Sequence, residues 1–170
     1  MDTKEQKRAS NIKTFKVKKR STRSTIIVAG NSTYVLNTST GNISWKNRKE
    51  RVKIIRKGLP YESIEIIGQK ANMPVKRLLN YWGIAQTTYN KKKREQDHMN
   101  VRDSELLLIL SEVLDYGFEV FNNEKEKFQR WLKKPNISLG NVTPESLFDS
   151  ITGIQEVRNA LTRLDYGNMA

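Results

Sequence analysis

From about Lys46 the apolar residues recur at intervals of three and four, the spacing that turns one side of an α-helix toward a core. "NRKERVKIIRKGLP" sets Val52, Ile54 and Ile55 on one side and stops at Gly58, with Pro60 just beyond. Ile64, Ile67 and Ala71 mark a second helix. Val75, Leu78, Leu79 and Trp82 mark a third, entered through Pro74, whose missing N–H is no loss in a first turn. "NVRDSELLLILSEVLDYGFEVF" predicts a long helix of about six turns, with Asn100 and Asp103 as a capping pair. It carries two apolar stripes, Leu106, Leu110, Val113, Gly117, Val120 and Leu107, Leu114, Phe118, Phe121. Two stripes exceed the single face of a surface helix. The segment is therefore expected to be a central strut or part of a dimer interface.

Phe128, Trp131 and Leu132 give the next helix, with Glu124 and Glu126 in its first turn and Lys133 and Lys134 in its last, matching the helix dipole at both ends. Pro135 ends it. Trp131 reads as a core anchor, and Pro135, Asn136, Leu139 and Gly140 as residues that fix a turn. Thr143 is a good N-cap, with Pro144 and Glu145 suited to a first turn. Ile154, Val157, Leu161 and Leu164 then line a last helix, and Gly167 stands where a left-handed glycine commonly closes one. Ahead of these helices, residues 25–45 are rich in β-branched side chains and broken at Gly30-Asn31 and Gly41-Asn42. They predict either a short β-hairpin or an extended segment lying on the body. Residues 1–24 are too polar to offset their ordering entropy and read as a flexible arm. The expected class is all-α. Residues 1–45 form a basic N-terminal extension, flexible or partly β. Residues 46–97 form a helix-turn-helix domain, and 98–170 a small helical domain.

Charge changes the picture because of its distribution. Residues 1–57 hold 16 Lys or Arg against 3 Asp or Glu, which equals the whole net charge of +13. Ile66 to Arg94 holds seven cations and no acid, whereas from Val101 onward acids outnumber bases 11 to 8. One end of the molecule should attract a polyanion and the other should not. Within the basic part, "LLNYWGIAQTTYN" brings an apolar helix to Gly83, follows it with Ile84, and opens another helix near Gln86. This is the pattern of a helix-turn-helix, with Ile84 and Tyr89 joining the two helices. At ~100° per residue, Gln86, Asn90 and Arg94 share a face, with Thr87 and Lys91 beside it. Gln and Asn suit bidentate pairing with adenine, and Thr suits polar or thymine-methyl contact. Lys91 and Arg94 are expected to reach phosphate or bases, and Lys92 and Lys93 the flanking backbone at most. Lys76 and Arg77 on the preceding helix complete the DNA-contacting set, and the arm over 1–24 could add a minor-groove contact. Ala85 caps the second helix poorly.

Enzymatic chemistry finds no support. The sole histidine, His98, stands in a linker without another histidine near it, and the chain has no cysteine. Glu124 and Glu126 point apart on a helix, and Gly30 and Gly41 lack the neighbours of a phosphate loop. No metal or other cofactor is expected. No apolar run approaches the ~18–20 residues of a membrane span, no secretory signal is evident, and a cytoplasmic protein is expected.

From about Gly58 to the C-terminus the chain resembles the Xre/MbcA/ParS family of antitoxins, partners of RES-domain toxins. The resemblance rests on "LLNYWGIAQTTYNKKKR", "LDYGFEVF", "FQRWLKKPNISLGNVTPESLF" and "GIQEVRNALTRLDYG". It covers about two thirds of the chain and excludes the first 45 residues. It implies a non-enzymatic antitoxin that represses its own operon and whose C-terminal domain blocks an NAD-depleting toxin. The implied inhibitory tail is Tyr166, Gly167, Asn168, Met169 and Ala170, although Asn168-Met169 departs from the family's usual aromatic or aliphatic ending. Operator symmetry implies a homodimer. The implied partners are thus a RES-domain toxin, operator DNA and a second copy of the chain. A stand-alone regulator whose C-terminal domain only dimerises, and a basic scaffold without an operator, are the competing readings.

Overall fold

The computed structural model describes residues 33–39 and 41–167. The arm expected over 1–24 and the terminal Asn168, Met169 and Ala170 lie outside the described residues. In chain order the elements are β1 (Tyr34–Thr38), β2 (Gly41–Trp45), α1 (Arg48–Lys57), α2 (Ser63–Ala71), α3 (Val75–Trp82), α4 (Gln86–Arg94), α5 (Val101–Val120), α6 (Lys125–Lys133) and α7 (Ile151–Asp165). Two 3-10 turns, Ile137–Leu139 and Pro144–Leu147, separate α6 from α7. The class is all-α with a small hairpin, which resolves the two readings of residues 25–45 for their second half. β1 and β2 pair antiparallel, with Tyr34 opposite Trp45 and Leu36 opposite Ile43. Leu36 and Trp45 are buried, and the Tyr34 ring stacks on Trp45 at 5.5 Å. A lone two-stranded hairpin is marginal in water, so its stability comes from docking. Ser39 in its turn donates its backbone N–H to Glu62 at 2.7 Å.

The long helix α5 is the strut of the fold. Asn100 caps it by accepting from the Asp103 N–H at 2.8 Å and donating back to the Asp103 carboxylate at 2.9 Å. Leu106, Leu107, Leu108, Leu110, Val113 and Leu114 are all buried, and α1, α2, α6 and α7 pack around them. Its few buried polar groups are matched. The Ser104 hydroxyl accepts from the Leu59 N–H at 3.0 Å. Glu112 accepts from the Trp45 indole N–H at 2.8 Å and from Arg51 at 3.0 Å. A buried carboxylate lacking such donors would be strongly destabilising.

Two local expectations are corrected. Val52 is 42% exposed and does not share the buried side of α1. The helix instead turns Arg51 inward to reach Glu112, which leaves Ile55 buried and swings Val52 toward solvent. Thr143 and Pro144 open only a single 3-10 turn. The chain must first drive Phe148 fully into the core. The last helix then begins at Ile151, where the Ser150 hydroxyl accepts from the Gly153 N–H at 3.1 Å.

Gly117 fixes how α6 meets α5. A Cβ at this position would lie 2.2 and 2.4 Å from two carbons of the Phe128 ring, and that ring is also packed against Phe118, Phe121 and Trp131 at 5.0, 5.5 and 6.1 Å. Gly117→Ala therefore overpacks an interlocked aromatic cluster. It is expected to lower unfolding free energy by about 1–3 kcal/mol, measured by urea denaturation of the whole chain. An unchanged midpoint would contradict the packing described.

Candidate functional site

α3 ends in a compact turn. The Ile84 N–H donates to the Leu79 carbonyl at 2.9 Å and the Gly83 N–H to Asn80 at 3.3 Å, with Gly83 left-handed at φ 67. This paired closure needs a residue that tolerates positive φ, which glycine supplies without a Cβ penalty. After Gly83–Ala85 the chain enters α4. Ala85 gives no side-chain cap, so tertiary contacts must hold α4. Its inward residue is Tyr89, only 3% exposed, whose hydroxyl donates to Glu65 of α2 at 2.9 Å. Glu65 also accepts from Lys93 at 2.5 Å. The Lys93 ammonium is the main reason its carboxyl titrates below the ordinary range; burial opposes this and the Tyr89 hydroxyl adds to it. Burial first, and the Glu65 carboxylate second, push the Tyr89 hydroxyl well above its usual value.

The opposite side of α4 faces solvent. Gln86, Thr87, Asn90, Lys91 and Arg94 are all exposed, and Gln86 donates to Asn90 at 3.0 Å, ordering the two amides against each other. Lys91 and Arg94 have no acidic partner among the described residues. Lys76, on α3, is likewise exposed. Two other nominated cations are engaged within the molecule: Lys93 with Glu65, and Arg77 with Glu145 at 2.6 Å. Glu145 is buried and belongs to the turn before Phe148, so Arg77 ties α3 to the C-terminal part of the chain. Trp82 does the same through its indole N–H, which donates to the Phe148 carbonyl at 3.0 Å.

A further basic surface lies on α1. Its buried side is Arg51, Ile54 and Ile55, and the reverse side exposes Lys49, Lys53, Arg56 and Lys57. The end of α1 abuts the segment that follows α4, since the Met99 N–H donates to the Leu59 carbonyl at 2.7 Å and Pro60 bridges to His98. Helical angles would have revealed this face from the sequence once Arg51 was known to point inward. Glu145 carried no such signal, because a first-turn glutamate usually stays in solvent.

In the C-terminal part, α6 and α7 pack on α5, and the two 3-10 turns between them pack against α6 and α7. Tyr166 follows α7 and is 61% exposed, and Gly167 is left-handed at φ 74. The Tyr116 hydroxyl meets Asp165 at 3.3 Å, and the Arg158 guanidinium lies over the Tyr116 ring at 5.8 Å. Both contacts hold the last turns of α7 against α5. Residues 117–167, from the close-packed glycine of α5 to the glycine after α7, match the family described as the antitoxin Xre/MbcA/ParS C-terminal toxin-binding domain. These residues therefore carry the C-terminal domain of the Xre/MbcA/ParS antitoxin family.

Comparisons that span about two thirds of the chain agree with this. The antitoxin is 28% identical over 114 residues to an "Antitoxin Xre" of Photorhabdus laumondii, covering 67% of this chain and 77% of that one. It is 27% identical over 116 residues to an "Antitoxin Xre" of Yersinia enterocolitica, covering 68% and 78%. A "Prs ADP-ribosylating antitoxin" of a Sphingobium strain is 23% identical over 129 residues, covering 71% and 81%. A toxin is therefore a partner of the family domain. Among the described residues no His, Cys, Asp or Glu cluster is suited to holding a metal ion, and no helix is long and apolar enough to cross a membrane.

The Glu65 cluster makes a testable claim about how α4 is held. Glu65→Ala removes the acceptor of a buried hydroxyl, which is expected to cost about 1–3 kcal/mol at neutral pH. Because the folded-state pKa is lowered, the glutamate's contribution is complete above the ordinary carboxylate value and is lost as pH falls through the lowered one. The stability gap between the native antitoxin and Glu65→Ala, read by urea denaturation, should thus narrow below about pH 4. A gap that stays constant into acid would contradict this.

Proposed function

We propose that this antitoxin neutralises a RES-domain, NAD-consuming toxin through residues 98–170 and represses its own operon as a homodimer, with 46–97 acting as a helix-turn-helix domain. The match of 117–167 to a toxin-binding domain carries the reading. "RWLKKPNISLGNVTPESLF" supports the RES class of toxin. ADP-ribosyl transfer also consumes NAD, so a relative named for ADP-ribosylation fits the same toxin chemistry. Tyr166, Gly167, Asn168, Met169 and Ala170 form the inhibitory tail, pushed forward by α7 into the toxin's active-site entrance.

For operator DNA, the solvent side of α4 suits the major groove. Gln86, Thr87 and Asn90 stand at its start, where base edges come within reach, and Lys91 and Arg94 follow on the same side. Lys76 and the outer face of α1 (Lys49, Lys53 and Arg56) suit the flanking phosphates, with Lys93 and Arg77 at the edge of the footprint. The dimer follows from a two-fold operator, which pairs two reading heads.

Co-expression tests the toxin half. A toxin lethal alone should become harmless with the full chain and co-purify with it, and deleting Gly167–Ala170 should restore toxicity. If the truncated chain still neutralises, the tail assignment fails; if no toxin co-purifies with the full chain, a stand-alone regulator is the better reading. Operator binding tests the other half. Lys91→Ala should reduce the slope of log K against log salt by about 0.9, while Asn90→Ala should cost about 1–3 kcal/mol of preference for the operator over random duplex. A chain that binds every duplex alike would be a basic scaffold instead.

A further inference from the structure

The first 3-10 turn and the residues that flank it, Asn136 to Val142, form a closed hydrogen-bonded loop. The Asn136 N–H donates to Val142 at 2.9 Å, and the Asn141 and Leu139 N–H groups donate back to the Asn136 carbonyl at 2.9 and 3.0 Å. The Asn136 side chain accepts from both the N–H and the hydroxyl of Ser138 at 2.9 Å each. Gly140 and Asn141 are both left-handed, at φ 73 and φ 63. All this order presents one bulky aliphatic side chain to water. Ile137 is 84% exposed, the most exposed of the large apolar residues in the described chain, with Val142 at 40%. Its neighbour Leu139 packs against the core, so the loop has an apolar residue turned inward and another turned out.

We propose that Ile137 is a docking anchor that enters an apolar pocket on the toxin beside the mouth plugged by the chain end; this rests on the toxin-neutralising reading above. Two observations favour the toxin as occupant. The loop lies inside the segment 117–167 that matches the toxin-binding domain. Arg163, one turn before the exposed Tyr166, donates to the Ser138 carbonyl at 3.4 Å, so the loop and the end of α7 form one continuous surface. A small rigid apolar knob is the form an interface anchor takes at the centre of a larger contact. Because the loop's own hydrogen bonds hold the knob in place, little ordering entropy remains to be lost on binding.

The test uses the full chain and a purified, catalytically inactivated RES-domain toxin that the native chain binds. Ile137→Ser should weaken toxin binding about 10- to 100-fold, the equivalent of one buried aliphatic side chain. Its thermal midpoint and operator affinity should stay unchanged, since the side chain touches little of its own chain. Val35→Ser, at a 44% exposed position on β1 and outside residues 98–170, should bind the toxin as the native chain does. Native affinity in Ile137→Ser overturns the proposal and leaves the toxin-neutralising function intact. A change in the chain's own oligomeric mass at unaltered toxin affinity also overturns it, by making the patch a self-interface. If the native chain itself binds no RES-domain toxin, both proposals fall together.

Discussion

The structure depends on the enclosure of α5. Twenty residues long, it has apolar side chains on too many sides for a surface position, and an apolar helix side left in water forfeits roughly 25 cal/mol for every Å² that could be covered. Coverage must come from elements on every side, and in this short chain those are α1, α2, α6 and α7 together. The buried residues consequently form one cluster that runs from Leu36 of the hairpin to Leu161 of α7. The hairpin, outside the family resemblance, joins the same cluster by delivering Trp45 to Glu112.

Enclosure of one helix also explains how the two candidate binding surfaces are mounted. α3 is anchored to the turn before α7 by Trp82 against the Phe148 carbonyl and Arg77 against Glu145. α2 is anchored to α5 by Lys70, which meets Asp115 at 2.6 Å. Partly buried charge-assisted contacts of this kind are directional and costly to break singly. The corner that bears α4 cannot rotate away from the α6–α7 region without leaving Glu145 or the Trp82 indole unpaired. The surface expected to meet DNA and the surface expected to meet a toxin are therefore held in fixed relation within one copy of the chain.

Much of this was legible in the sequence because it rests on periodicity and punctuation. Apart from α4, the helices follow three-and-four spacing, Gly83 marks the tight turn, and Asn100 with Asp103 marks the start of α5. The sequence also carried the exposed side of α4, since Tyr89 sets which way that short helix faces. What escaped depends on partners distant in sequence. Val52 and Arg51 exchange places because Glu112 lies 61 residues away. The late start of α7 reflects the need to bury Phe148, which outweighs the local preference of Thr143-Pro144 for opening a long helix. Ile137 escaped for the same reason: nothing local distinguishes an isoleucine that supports a turn from one that the turn holds out to solvent.

The central claim is a division of contacts, with α4 on duplex DNA and the end of α7 on a toxin. Site-specific photo-crosslinking in the assembled toxin–antitoxin–operator complex tests it most directly, with the photoreactive group placed in turn at Gln86 and at Tyr166. The account predicts that the Gln86 probe captures operator DNA and the Tyr166 probe captures the toxin. Capture of the antitoxin's own chain from position 166, with no toxin adduct, would contradict it.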